Sequence, residues 1–327
     1  MAAAVYDPLL RAGLRLLSPP GAAGRLSIVI FHRVLAQADP LFPGDPDAPH
    51  FDAICRWLAS WFRVLPLDEA TDRLARGGLP PRAACITFDD GYADNHDLAM
   101  PILRRHGLTA TFFIATGFLD GGRMWNDTVV ESLRRCRADR LDVSGLGLPR
   151  LSLLDLGGWP ARRAAMRQLL GAIKYLGFDE RQACVDRLAA LAGAALPHDL
   201  MMRSEQLKAM ASAGMQIGAH TVSHPILARL DAAQAEHEIA SNKAELESRL
   251  QQPVRLFAYP NGKPGDDYLP RDVETVRRLG FSAAVSTSPG AARSGAGLRL
   301  HELPRFTPWD TQRLRFGLRL ARNLAGV

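Results

Sequence analysis

The sequence lacks any apolar run approaching the roughly 18–20 residues that span a bilayer, so a membrane-spanning protein is not expected. Its first residues, Met1-Ala2-Ala3-Ala4-Val5-Tyr6-Asp7, hold no basic residue ahead of an apolar stretch, and Arg11 and Arg15 interrupt the apolar residues after them. A cleaved secretory signal is therefore not expected, and cytoplasmic residence is. Cysteine is scarce, with four residues (Cys55, Cys85, Cys136, Cys184) and no CxxC spacing. They read as buried thiols, not as a disulfide framework. No internal repeat or low-complexity segment is present. The net charge of +6 comes from arginines dispersed at helical spacing. Without a nucleic-acid module beside them, they indicate solvated helix faces and no nucleic-acid partner.

What is there is a chain of 327 residues, 47% apolar and 23% charged, enough to build the core of one α/β barrel. Strand-like runs at 27–31, 83–88, 109–115, 215–219, 255–259, 281–286 and 298–305 alternate with helical patterns at 51–62, 68–76, 93–106, 205–213, 231–251 and 268–280. From about 128 to 203 the strand rhythm gives way to Ala, Leu and Arg, which predicts a mostly helical insertion. The predicted layout is an N-terminal helical segment over 1–25, a distorted (β/α) barrel over 26–308 holding that insertion, and a basic amphipathic helix over 309–327. In that last helix Arg313, Arg315, Arg319 and Arg322 alternate with Leu314, Phe316, Leu318 and Leu320, a pattern suited either to packing or to peripheral contact with an anionic leaflet. Repeated β–α units imply a parallel sheet with helices outside it.

The polar groups that carry chemistry fall just after predicted strand ends. They are His32, the pair Asp89-Asp90, the pair His220 and His224, and the turn Pro260-Asn261-Gly262. In a barrel those ends share one face, where active sites are built. One carboxylate and two imidazoles suit a divalent cation such as zinc, and leave positions open for water and a carbonyl oxygen. The second carboxylate would remain beside the metal as a base. His220 and His224 are four apart, and either a helix or the loop suggested by Gly218 and Pro225 lets both reach one ion. His32 is the candidate general acid and His301 its rival.

Thr87-Phe88-Asp89-Asp90-Gly91 and His220-Thr221-Val222-Ser223-His224 resemble the first two motifs of the polysaccharide deacetylase (NodB homology, carbohydrate esterase 4) family. Phe257-Ala258-Tyr259-Pro260-Asn261-Gly262 looks like a variant of the third, and Phe31-His32-Arg33-Val34 resembles the early aromatic-His stretch of one subgroup. The resemblance implies that Asp89 is the base, that Asp90, His220 and His224 bind the metal, and that His32 supplies the acid. It implies removal of N-acetyl groups from amino sugars of an envelope or exopolysaccharide glycan, or of its lipid-linked precursor. Asn261 would offer a backbone N–H to the oxyanion, and Tyr92, Trp125 and Tyr259 are candidates to stack on sugar faces.

One departure stands out. The family's third motif carries an Arg two residues before the Pro, where this chain has Ala258, so Arg305, Arg33 or water would have to orient the catalytic Asp. That gap, together with the basic terminal helix, motivates the alternative of a non-catalytic glycan or membrane assembly factor with a vestigial metal site. An amino-sugar deformylase acting on a lipid carrier is the other alternative.

Overall fold

A computed structural model describes residues 2–308 and 310–326, with the backbone alone over 2–6. Met1, Trp309 and Val327, at the ends of the predicted terminal segments, lie outside the described residues. The elements run, in chain order, α1 Ala2–Leu17, β1 Arg25–Phe31, α2 Ala48–Trp61, β2 Arg63–Val64, α3 Leu67–Ala75, β3 Ala83–Phe88, α4 Met100–Arg105 and β4 Thr111–Ile114. Then come α5 Trp125–Arg135, β5 Arg140–Asp142, β6 Leu153–Asp155, α6 Trp159–Ile173 and α7 Phe178–Ala192. The chain closes with α8 Ser204–Ser212, β7 Gln216–Ala219, α9 Ala232–Leu250, β8 Leu256–Ala258, α10 Pro270–Arg278, β9 Ala283–Pro289, β10 Ala292–Arg293, β11 Leu303–Arg305 and α11 Arg313–Ala325.

Two compact units result. The first comprises residues 1–37, 44–119 and 202–327; the second comprises 38–43 and 120–201. In the first, β1-β3-β4-β7-β8-β9-β11 pair in parallel in that order. Phe306, just past β11, then exchanges backbone hydrogen bonds with β1: its N–H donates to Ile28 O, and Ile30 N–H donates to its own carbonyl. This closes a barrel of seven parallel strands, the α/β barrel the sequence predicts, distorted by one strand from the eight of the regular form.

Period-two alternation decides which side chains enter the barrel. Along β3, Cys85 belongs to the inner apolar cluster with Ile28, Phe113, Ala258, Val285 and Leu303. Ala84, Ile86 and Phe88 face the outer cluster, where Phe88 stacks on Phe31 and Phe112 with ring centroids 5.2 and 4.8 Å apart. Both faces of the sheet are thus covered, which is why its strands read as continuous apolar runs. Gly218 on β7 is required by packing: a Cβ there would meet the Phe113 ring at 2.4 Å.

α11 packs through Phe316, Gly317, Leu320 and Leu324, while Leu314 and Leu318 remain about half exposed. Arg25 donates to Leu324 O and Arg293 to Ala325 O, so two cations cover carbonyls that the end of the helix leaves open.

The second unit has its own core, including Val129, Leu133, Leu154, Leu169, Val185 and Leu188. Asp39 ties its short 38–43 segment to α5 through Arg134 at 2.9 and 2.5 Å. It is less uniformly helical than its composition suggests, because β5 and β6 form an antiparallel pair. Trp125 opens α5 in this unit, with the Arg181 guanidinium 5.3 Å from its ring centroid.

Candidate active site

Asp89 follows β3 in the inward register, is 3% exposed, and is gripped by Arg305 from the end of β11. Both Arg305 Nη atoms donate to the two Asp89 carboxylate oxygens at 2.7 Å, and Nε donates to Ser286 O at 2.8 Å. Arg33, the other candidate for that role, instead donates to Asp94 at 2.8 Å and lies over the Tyr92 ring. Arg305 therefore fills the place left by Ala258, reaching in from a different strand of the same barrel. Burial alone would push the Asp89 carboxyl up; the Arg305 guanidinium, together with His220 and His32, outweighs it and holds the group below its ordinary value.

Asp90 takes a left-handed backbone conformation, φ 78°. Adjacent residues of an extended strand point to opposite faces, so this turn is what allows Asp90 to join Asp89 at the barrel mouth. Its Oδ1 lies 3.4 Å from His220 Nε2 and 3.4 Å from His224 Nε2. The three donor atoms lie within 4.8 Å of one another, and the buried Asp90 Oδ1 accepts no hydrogen bond. Bonds of about 2.0–2.1 Å at tetrahedral angles would set donors about 3.3–3.4 Å apart. The Asp90 spacings match, and an orphaned anionic oxygen facing two bare ring nitrogens fits a divalent cation.

The His motif forms a loop after β7, not a helix, with Thr221 at φ 64° and His224 at φ 52°. His220 is 1% exposed, and its Nδ1–H donates to Ala258 O at 2.7 Å, which turns Nε2 toward Asp90. Burial would lower the His220 pKa, but Asp90 and Asp89 outweigh it and raise it. Burial wins at His224, whose pKa falls to about 4 despite Asp90, leaving the ring neutral as a ligand must be.

α9 supplies two residues that sequence reasoning missed. Asn242 accepts from His220 N–H at 3.0 Å, and its amide donates to Thr221 O at 2.6 Å and Ile114 O at 3.0 Å. Glu238, one turn earlier, accepts from Val222 N–H, Ser223 N–H and the Ser223 hydroxyl at 2.9, 2.8 and 2.7 Å. A signal existed. Ala235, Ile239, Asn242 and Leu246 form the buried stripe of α9, and an Asn in such a stripe needs partners.

His32 is exposed just past β1, near enough to interact electrostatically with Asp89, Asp90 and His224. The Asn95 amide donates to its carbonyl at 2.9 Å. Asn95 sits in a π-helical turn, Asn95–Ala99, where the sequence pattern predicts a continuous helix over 93–106.

His301 is not a rival acid. The strand expected over 298–305 begins only at Leu303, and His301 Nε2 hydrogen-bonds Phe281 O at 2.8 Å, ahead of β9 and at the opposite end of the barrel. Tyr259 cannot stack on a sugar either. It is fully buried, stacked on Tyr268 at 3.8 Å, and donates its hydroxyl to His301 O. Tyr92 is likewise buried. Asn261 caps its turn at φ 58°, and its carbonyl accepts from the Thr287 hydroxyl at 2.8 Å.

Comparison with known proteins bears on the family and the fold. A Bacillus subtilis protein described as a candidate polysaccharide deacetylase, YxkH, is 22% identical over 286 residues, covering 87% of this chain and 72% of its own length. Two solved structures share the fold. The Streptococcus pyogenes deacetylase PplD, solved with acetate, has a TM-score of 0.59 at 18% identity, over 92% of this chain and 98% of its own. IcaB from Ammonifex degensii has a TM-score of 0.58 at 20% identity, over 94% and 98%. The polysaccharide deacetylase family model matches residues 76–145 and 181–284, just over half of the sequence. The chain belongs to the polysaccharide deacetylase family.

Proposed function

We propose that the protein is a metal-dependent N-deacetylase of amino sugars in an envelope or exopolysaccharide glycan. The observation that carries this is the pairing of a three-donor cation cradle with a second buried carboxylate held apart from it by Arg305. Asp90, His220 and His224 would hold a divalent ion, zinc by its donor set. When bound, such an ion supplies Lewis-acid polarisation of the amide carbonyl and acidifies water.

The chain's own groups do the rest. Arg305 occupies one lone pair on each Asp89 oxygen, which leaves lone pairs free to take the proton of the attacking water. Asn261 N–H, which makes no hydrogen bond among the described residues, is the backbone donor for the developing oxyanion. His32 gives a proton to the departing nitrogen as the C–N bond breaks, so that acetate and a free amine result. Ala258 is one of the two motives for the non-catalytic alternative, beside the basic terminal helix, and the grip of Arg305 on Asp89 speaks against that one.

The test is acetate release from N-acetylated oligosaccharides and from an aryl acetate ester. Asp89→Asn should lose turnover of both by at least about a hundredfold while keeping its metal. His32→Gln should lose the amide substrate by about 10²–10⁴ but largely retain the ester, whose leaving group needs no proton. Undiminished amide hydrolysis by Asp89→Asn would refute the assignment.

A further inference from the structure

Beside the Arg305 end of the site, α11 walls a cavity of about 320 Å³ lined in part by Thr287, Arg305, Thr307, Arg319, Arg322 and Asn323. Thr287 lies in the C-terminal half of β9 and Thr307 just past the C-terminal end of β11, toward the barrel face that carries Asp89 and Asp90. Arg305 belongs to both places, since it lines the cavity and holds Asp89. Thr287 links the cavity to the third-motif turn through its hydroxyl bond to Asn261 O.

The cavity's charge is not balanced. α11 contains no acidic residue. Asp310, just before it, is shared by Arg315 at 2.9 Å and Arg319 at 2.6 Å. Arg322 has no partner among the described residues and is exposed. Of the three guanidinium groups that line the cavity, Arg305 is paired with Asp89 and Arg319 with Asp310, so Arg322 carries the one uncompensated charge, a place for an anionic group. Guanidinium forks and hydroxyl donors are the chemistry that recognises phosphate oxygens. The same helix exposes Leu314 and Leu318, at 48% and 52%, as a surface for an apolar chain.

We propose that this cavity binds a phosphoryl group carried by the amino-sugar substrate, as a sugar phosphate or its lipid diphosphate. The inference rests on the deacetylase reading, and its test separates the two. Isothermal titration of the full chain with N-acetylglucosamine and with N-acetylglucosamine 1-phosphate reads the cavity without turnover. Acetate release from both, and from a lipid-diphosphate-linked N-acetylglucosamine, reads the reaction.

The sugar phosphate should bind and turn over about tenfold better than the sugar. Arg322→Ala should erase that preference and Arg322→Lys should keep most of it. Equal affinity for the two sugars, or a preference that survives Arg322→Ala, overturns the proposal. Faster turnover of the lipid diphosphate assigns a lipid carrier, and equal turnover assigns a soluble phosphate. Arg322-dependent phosphate binding with no acetate from any substrate would sink the deacetylase reading alone.

Discussion

Arg305 and Asp89 are 216 positions apart, and each is nearly without solvent contact. Removing one partner of such a pair leaves a buried charge uncompensated, at a cost of about 3–5 kcal/mol. Arg305→Met should therefore lower unfolding stability by about that amount and abolish acetate release together. Chemical denaturation beside the acetate assay checks both, and a stable, active Arg305→Met protein would remove Arg305 from the account. At this scale the sequence is partly legible. The Asp pair, the His pair and the missing Arg at Ala258 can all be read locally, whereas the replacement can only be narrowed to candidates. Which side chain reaches Asp89 depends on strands that meet only when the barrel closes. Tyr259 misleads for a related reason: an aromatic next to a site motif looks available until Phe257, Tyr268 and the His301 carbonyl are seen to enclose it.

Among the elements, α9 carries more of the site than its polar sequence suggests. Asp231 caps it by accepting from Gln234 N–H at 2.8 Å, while the Gln234 side chain accepts from Asp231 N–H at 3.2 Å. The capped helix delivers Glu238 and Asn242, four apart on one face, to the loop that presents both histidines. Asn242→Ala should leave the fold recognisable and weaken metal binding by about 10–100-fold, measured by competition with a chromophoric chelator. Unaltered affinity would reduce Asn242 to a packing residue. Alternation and caps make most elements legible to within a few residues. The π-helical turn at Asn95–Ala99 is not, because its sequence is an ordinary helical pattern and the change lies in hydrogen-bond register. The late start of β11 moves His301 to the other end of the barrel, a shift of a few residues with a large consequence.

For the whole molecule, β–α alternation is enough to predict a parallel barrel, since strands covered on both faces leave a strong apolar signal. Seven strands and closure through Phe306 are beyond it, being set by register and not by composition. The second unit begins earlier than the change in composition, at residue 120, and recruits the distant 38–43 segment. Its two short strands, three residues each, carry too little alternation to be seen. What the barrel achieves is convergence: β3, β7 and β11, widely separated in sequence, bring the Asp90, His220 and His224 cluster and the Arg305-clamped Asp89 carboxylate to one mouth. The most direct measurement is acetate release from an N-acetylated oligosaccharide by chelator-stripped protein, titrated back with zinc. Activity should vanish on stripping and return in full at one equivalent per chain, and should not return in His220→Ala or His224→Ala. Full activity in the stripped protein, with metal content verified as nil, would contradict the account.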